Sequence, residues 1–204
     1  MALNFPHLGA FPYLGFHDYL PFKDILEHMK SVGYSNLKHV CSAINDYALP
    51  TRSEKEQQYQ KFYGWHNNVN AGLDVTDKEF FPVRWFRELN YNPDKKYVAK
   101  VVWTKPGNFE PPHVDFYPSF LTQKKPDGTL YTEEETREIG KGIMRAWIPL
   151  EDSKLGHIFY KEGYALNSWK KGDVFQIPNG IPHGFVNAGL DDRFLIVFTG
   201  HLLK

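Results

Sequence analysis

From Lys96 onward the chain falls into short β-rich runs separated by Gly, Pro, Asn and Asp turns, the pattern of a sandwich or barrel. Eight such runs can be drawn: Tyr97 to Thr104, Pro112 to Phe116, Ile143 to Leu150, Gly156 to Tyr160, Tyr164 to Asn167, Asp173 to Ile177, His183 to Asn187 and Arg193 to Thr199. The first 95 residues follow a different period. Leu20, Ile25, Leu26 and Met29 share one helical face within Leu20 to Val32, and Gly33 ends it. A polar, Gln-rich stretch from Thr51 to Gly64 predicts a second helix, and Asp77 to Leu89 a third, interrupted by Pro82. A helical preface followed by eight strands predicts a mainly β fold with N-terminal helices (α+β), a jelly roll with helices buttressing one sheet. The expected organisation is a single domain over 1–204, in which a helical portion, 1–95, packs on a β core, 96–204. Within that core, 117–141 carries a Pro126-Asp127-Gly128 turn and a Glu133-Glu134-Glu135 cluster, and reads as a solvated insertion and a candidate lid.

The size, 204 residues and 23.8 kDa, suits such a domain. Lys plus Arg and Asp plus Glu number 24 each, and this balance argues against nucleic acid as the main partner. No apolar run approaches the ~20 residues of a membrane span. No Lys or Arg precedes Lys23 and prolines break the first apolar stretch, so a secretory signal is not expected and a cytoplasmic setting is. A single cysteine, Cys41, cannot form an internal disulfide or a thiolate cluster, so a metal would have to use His and carboxylate. No glycine-rich nucleotide loop or nucleophile elbow is present.

Two segments carry chemistry. His113-Val114-Asp115 places an imidazole and a carboxylate two residues apart on a strand, where both project to one face and can grip one ion. Gly107 and the Pro111-Pro112 pair precede it as a turn and a stiffener. The second segment runs from Gly172 through Pro178-Asn179-Gly180 to His183 and Asn187: a strand, a tight turn, and a strand with a histidine at its start. Two histidines and one carboxylate on one face of a metal leave three positions open, the arrangement suited to non-haem Fe(II) oxygenases and less suited to zinc. His157 competes with His183 as third ligand but lacks the Pro-x-Gly turn before it and the arginine downstream. That arginine, Arg193, lies ten residues after His183 and opens an otherwise apolar strand, where an inward Arg calls for a bidentate carboxylate. A divalent metal, Asp115, Arg193 and a bound dicarboxylate together are electrically neutral. Arg145 and Trp147 alternate along one run and so share a face; Arg145 is a candidate for a substrate carboxylate or the same dicarboxylate. Tyr160, Asn167, Trp169, Lys100 and Trp103 are weaker candidates to line the site.

Gly107 to Asp115, Gly172 to Asn187 and Arg193 together resemble the double-stranded β-helix core of the Fe(II)/2-oxoglutarate-dependent dioxygenases, over roughly the last half of the chain. The resemblance implies that His113, Asp115 and His183 bind Fe(II). It also implies that Arg193 holds the distal carboxylate of 2-oxoglutarate, and that O2 is consumed in hydroxylating a small-molecule or peptidyl substrate with release of succinate and CO2. The same spacings resemble the two cupin motifs, the second closely. The first departs, since Asp115 stands where cupins usually have a second His, and the expected Glu is Phe120 or a neighbour. A cupin-type metal enzyme that does not use 2-oxoglutarate is therefore the alternative.

Overall fold

The structure is a computed structural model, and it describes residues 13–16, 22–36, 38–39, 71–76, 83–115, 125, 127–129 and 132–203. Eight strands form the roll: β4 (Tyr97–Thr104), β5 (Phe109–Val114), β6 (Ile143–Pro149), β7 (His157–Lys161), β8 (Tyr164–Leu166), β9 (Asp173–Pro178), β10 (Pro182–Asn187) and β11 (Arg193–His201). Three short strands precede them: β1 (Tyr13–Phe16), β2 (Lys38–His39) and β3 (Ala71–Asp74). All pairings are antiparallel, in one sheet ordered β1-β9-β6-β11-β4-β3-β2 and another ordered β5-β10-β7-β8. From β4 onward the chain steps between the two sheets, with only β7 and β8 joined as a hairpin within one. That winding is a double-stranded β-helix, the jelly-roll architecture expected from the eight β-rich runs.

Alternation along β11 shows why the two faces differ. Phe194, Ile196 and Phe198 point out of the roll into a core with Ile25 and Met29 of α1 (Phe22–Val32) and with Phe86 of α2 (Val83–Glu88). Edge-to-face rings hold this layer: Phe86 on Tyr97 at 4.5 Å, and Tyr91 on Phe198 at 4.6 Å between centroids. Leu195 and Val197 point the other way, between the sheets, against Trp147, Phe159, Phe175, Ile177 and Phe185. Arg193 and Thr199 have the parity of Leu195, so the strand period alone aims both into the roll.

The helical reading of the N-terminal portion is incomplete: β1 extends one edge of the large sheet, and β3 with β2 the other. α1 begins two residues after Leu20 and stops before Gly33, whose φ of 77° is a left-handed stop. Of the third predicted helix, Asp77 to Leu89, residues 77–82 lie outside the described residues, and the rest holds α2 (Val83–Glu88). Thr51 to Gly64 lies outside the described residues. The insertion holds a third helix, α3 (Glu133–Gly140), where a solvated excursion was expected. Thr132 and Glu135 close a capping box at its start, and Lys125 ties Glu135 from 2.6 Å. β5 begins at Phe109 and ends at Val114, so Asp115 sits just past the strand. Pro111 and Pro112 are tolerated within it because, among the described strands, β5 pairs on one side only, with β10. No helix among the described residues is long and apolar enough to cross a membrane.

Candidate metal centre

β5 and β10 bring the two halves of the site together. His113 and His183 are directly opposed in register, and Pro182 opposes Val114. The turn between β9 and β10 completes the contact, since the Gly180 N–H donates to the Asp115 carbonyl at 3.2 Å. Gly180 has a φ of 78°, which explains the Pro-Asn-Gly sequence there. His183 is 1% exposed. Its Nδ1 lies 2.7 Å from the Ile181 carbonyl, which can only accept, so Nδ1 carries the proton. In a neutral ring Nε2 then presents its lone pair, and Asp115 Oδ2 stands 3.4 Å from it. A lone pair and a carboxylate oxygen so close in a buried place repel unless a proton or a cation lies between them. The donor chemistry of this pair therefore fits a divalent metal, with a backbone carbonyl fixing the ring behind it. Among the described residues no group of three or more His, Cys, Asp or Glu side chains is placed to hold a metal. The side chain of His113, the third predicted ligand, lies outside the described residues.

Arg145 reaches the same carboxylate from β6. Its Nη1 pairs with Asp115 Oδ2, and its Nε donates to Thr199 Oγ1 at 3.0 Å. Two cationic or potentially cationic groups, Arg145 and His183, thus converge on one carboxylate oxygen, with the Trp147 ring 5.5 Å from the His183 ring. Arg145 faces inward, on the side of Trp147, and there it pairs with the candidate ligand Asp115 itself.

Arg193 occupies the other end of the interior and is 3% exposed, although Asp191 and Asp192 directly precede it. Its Nη2 donates to Thr104 Oγ1 at 3.0 Å, and the guanidinium lies 3.9 Å over Phe185 and 4.9 Å from the Phe159 ring centre. Nε and Nη1 have no hydrogen-bond partner among the described residues. Burial pushes the guanidinium down to about 9, opposed by the charge of Glu110, and it stays protonated at neutral pH. Glu110 is registered opposite Phe185. Asn187 holds the turn from which Arg193 departs: its side-chain amide donates to the Thr104 and Asp191 carbonyls and its oxygen accepts from Gly189 N–H.

His157 is not at the metal end. It pairs in register with Asn187, four residues down β7 from the partner of His183, and its Nε2 meets the Asp191 carbonyl at 3.2 Å. Burial holds its pKa below the usual value, as for a neutral structural histidine. Trp169 stacks on Phe159 at 4.3 Å and belongs to the inner core, Asn167 is exposed, and Trp103 packs on Phe194 in the outer core. Tyr160 and Lys100 are half-buried. Sequence reasoning passed over Lys161, which is buried and directly opposite His183 in register. The signal was the parity of β7: Phe159 fixes the inward positions, and Lys161 occupies the next one.

The insertion touches this turn through α3. A Cβ on Gly140 would lie 2.1 Å from Asn179 Nδ2 and 3.1 Å from its Cβ, a clash within the turn that holds Asp115 and His183. Gly140→Ala is expected to weaken Mn(II) binding by about tenfold, the scale of an outer-shell displacement. Adding Asn179→Ala removes the two closest atoms and leaves only the 3.1 Å contact with its Cβ, so isothermal calorimetry should show the double variant binding Mn(II) more tightly than Gly140→Ala alone.

No family model matches the chain, and no curated protein matches it in sequence. Solved structures with a similar fold include the cupin domain of Cnp3 from Schizosaccharomyces pombe, at 12% identity and TM-score 0.38, covering 65% of this chain and 64% of that one. A predicted oxalate decarboxylase from Thermotoga maritima matches at 14% identity and TM-score 0.38, over 66% of this chain and 82% of that one. The polyketide cyclase RemF from Streptomyces resistomycificus matches at 14% and 0.38, over 66% of each. The likeness is one of fold, and the chemistry rests on the residues of this chain.

Proposed function

We propose that this protein is an Fe(II)- and 2-oxoglutarate-dependent oxygenase that hydroxylates a C–H bond, consuming O2 and 2-oxoglutarate and releasing succinate and CO2. The observation that carries the reading is the placement of Asp115 Oδ2 3.4 Å from His183 Nε2, beside the register pair His113 and His183, at one end of an interior whose other end holds Arg193. His113, Asp115 and His183 would hold the metal, which would supply activation of O2. Arg193 would bind the distal carboxylate through its Nε and Nη1, held in place by Thr104 and the Phe185 face. Arg145 orients the Asp115 carboxylate and balances part of its charge, with Thr199 setting the guanidinium. The aromatic lining of Trp147, Phe159 and Phe185 keeps water from the cosubstrate.

Glu110 favours a second reading. Its carboxylate already acts on Arg193, and an Arg neutralised from within the protein has less need of a ligand. In that case the protein is a cupin-type metal enzyme that does not use 2-oxoglutarate. Anaerobic titration of the metal-free protein with Fe(II) and then 2-oxoglutarate separates the two. The oxygenase reading expects saturable iron binding followed by the weak visible charge-transfer band of the chelate. Tight iron binding without the band supports the cupin reading, and no iron binding removes both.

A further inference from the structure

The small sheet carries one transverse row of three register positions: His113 on β5, His183 on β10 and Lys161 on β7, each directly opposed to the next. Adjacent strands lie ~4.8 Å apart, so Lys161 stands next to the candidate metal ligands and not merely in the same interior. Its side chain is 3% exposed. Among the described residues its only ion pair is with Glu162 Oε2 at 3.8 Å, beyond hydrogen-bond distance, on a half-exposed residue that leaves the strand with a φ of 48°. Burying an ammonium this way costs stability unless something pairs with it. Desolvation holds the Lys161 pKa below the ordinary lysine value, against the pull of Glu162.

Charge at this end of the roll is unequal. Asp115 is answered by Arg145, and a divalent metal adds two further positive charges. In the reading above, the two carboxylates of 2-oxoglutarate go to the metal and to Arg193. Lys161 is then a buried cation that neither the protein nor the cosubstrate answers in full. We propose that Lys161 is a substrate-binding residue and that the substrate presents a carboxylate to it beside the metal. A singly charged group suits one lysine with a carboxylate 3.8 Å away better than a dianionic phosphate does. The proposal rests on the oxygenase reading for the cosubstrate and names the substrate class that reading leaves open.

The test uses Mn(II)-loaded protein saturated with 2-oxoglutarate, titrated calorimetrically with acids and amides of one skeleton: benzoate and benzamide, phenylacetate and phenylacetamide, hexanoate and hexanamide. In at least one pair the acid should bind about tenfold more tightly than the amide, the effect of one charge-assisted hydrogen bond. Lys161→Met, which keeps the apolar stem, should erase that preference while leaving 2-oxoglutarate affinity within about twofold, and Lys161→Arg should retain it. Failure of every pair to discriminate overturns the proposal, as does a preference that survives Lys161→Met. Loss of 2-oxoglutarate affinity in Lys161→Met overturns it too, because Lys161 would then serve the cosubstrate. If the wild type does not take up 2-oxoglutarate, the oxygenase reading fails by itself, and the same pairs titrated against the Mn(II) form alone still judge Lys161.

Discussion

Replacing Arg193 with Met should abolish measurable 2-oxoglutarate binding to the Mn(II)-loaded protein while leaving the fold as stable as before or more so. Removing one partner of a buried, hydrogen-bonded charge pair costs about 2–5 kcal/mol of binding, or ~30-fold to more than 1,000-fold in Kd. Stability responds differently because the guanidinium is buried with Nε and Nη1 lacking hydrogen-bond partners among the described residues. Met fills a similar volume, keeps contact with Phe185 and Phe159, and needs no donors satisfied, so the change is expected to add up to ~1 kcal/mol. Calorimetric titration with 2-oxoglutarate and thermal melts of wild type and variant check both halves. A melting temperature that falls by several degrees would show that Arg193 is held by Glu110 as a structural pair, and would favour the cupin-type reading.

Asp115→Ala carries the second large effect and moves two observables together. Mn(II) affinity should fall below detection by calorimetry, because the only described carboxylate beside His183 Nε2 is gone. Stability should fall by ~3 kcal/mol, since Arg145, whose side chain is 10% exposed, loses the carboxylate it pairs with and remains buried. Adding Arg145→Met should restore most of the stability and none of the metal binding. Denaturant unfolding and metal titration of the two variants make the comparison. If the double variant is no more stable than Asp115→Ala, the Arg145 contact does not carry the loss.

The roll was legible because its β-rich runs are short and its turns fall at glycines such as Gly107, Gly172 and Gly180, all with φ near 80°. β1, β2 and β3 were not, since two to four residues are too few to show a period. α3 was hidden by its charge: Glu133-Glu134-Glu135 reads as solvated, and only the Thr132-x-x-Glu135 spacing marks a helix start. The inward, buried placement of His183 and Arg193 was legible from the turn before one and the apolar strand after the other. The pairing of Arg145 with Asp115 was not, because it joins residues thirty positions apart through the stagger of two sheets, which no local spacing encodes. Lys161 was missed because the predicted run ended at Tyr160, one residue short of the observed strand end, and only the inward parity of Phe159 reveals that it is buried.

Among the described strands β5 lies at the margin of its sheet and pairs with β10 alone. It contributes His113, and Asp115 comes directly after its end. A metal held there would act as a clasp, fastening the seam between β5 and β10 and lending the bound state protection that grows with metal concentration. Amide exchange along Phe109–Val114 should slow on loading while β11, paired on both sides, changes little. The rate at which metal escapes would then be governed by how often that one seam unzips.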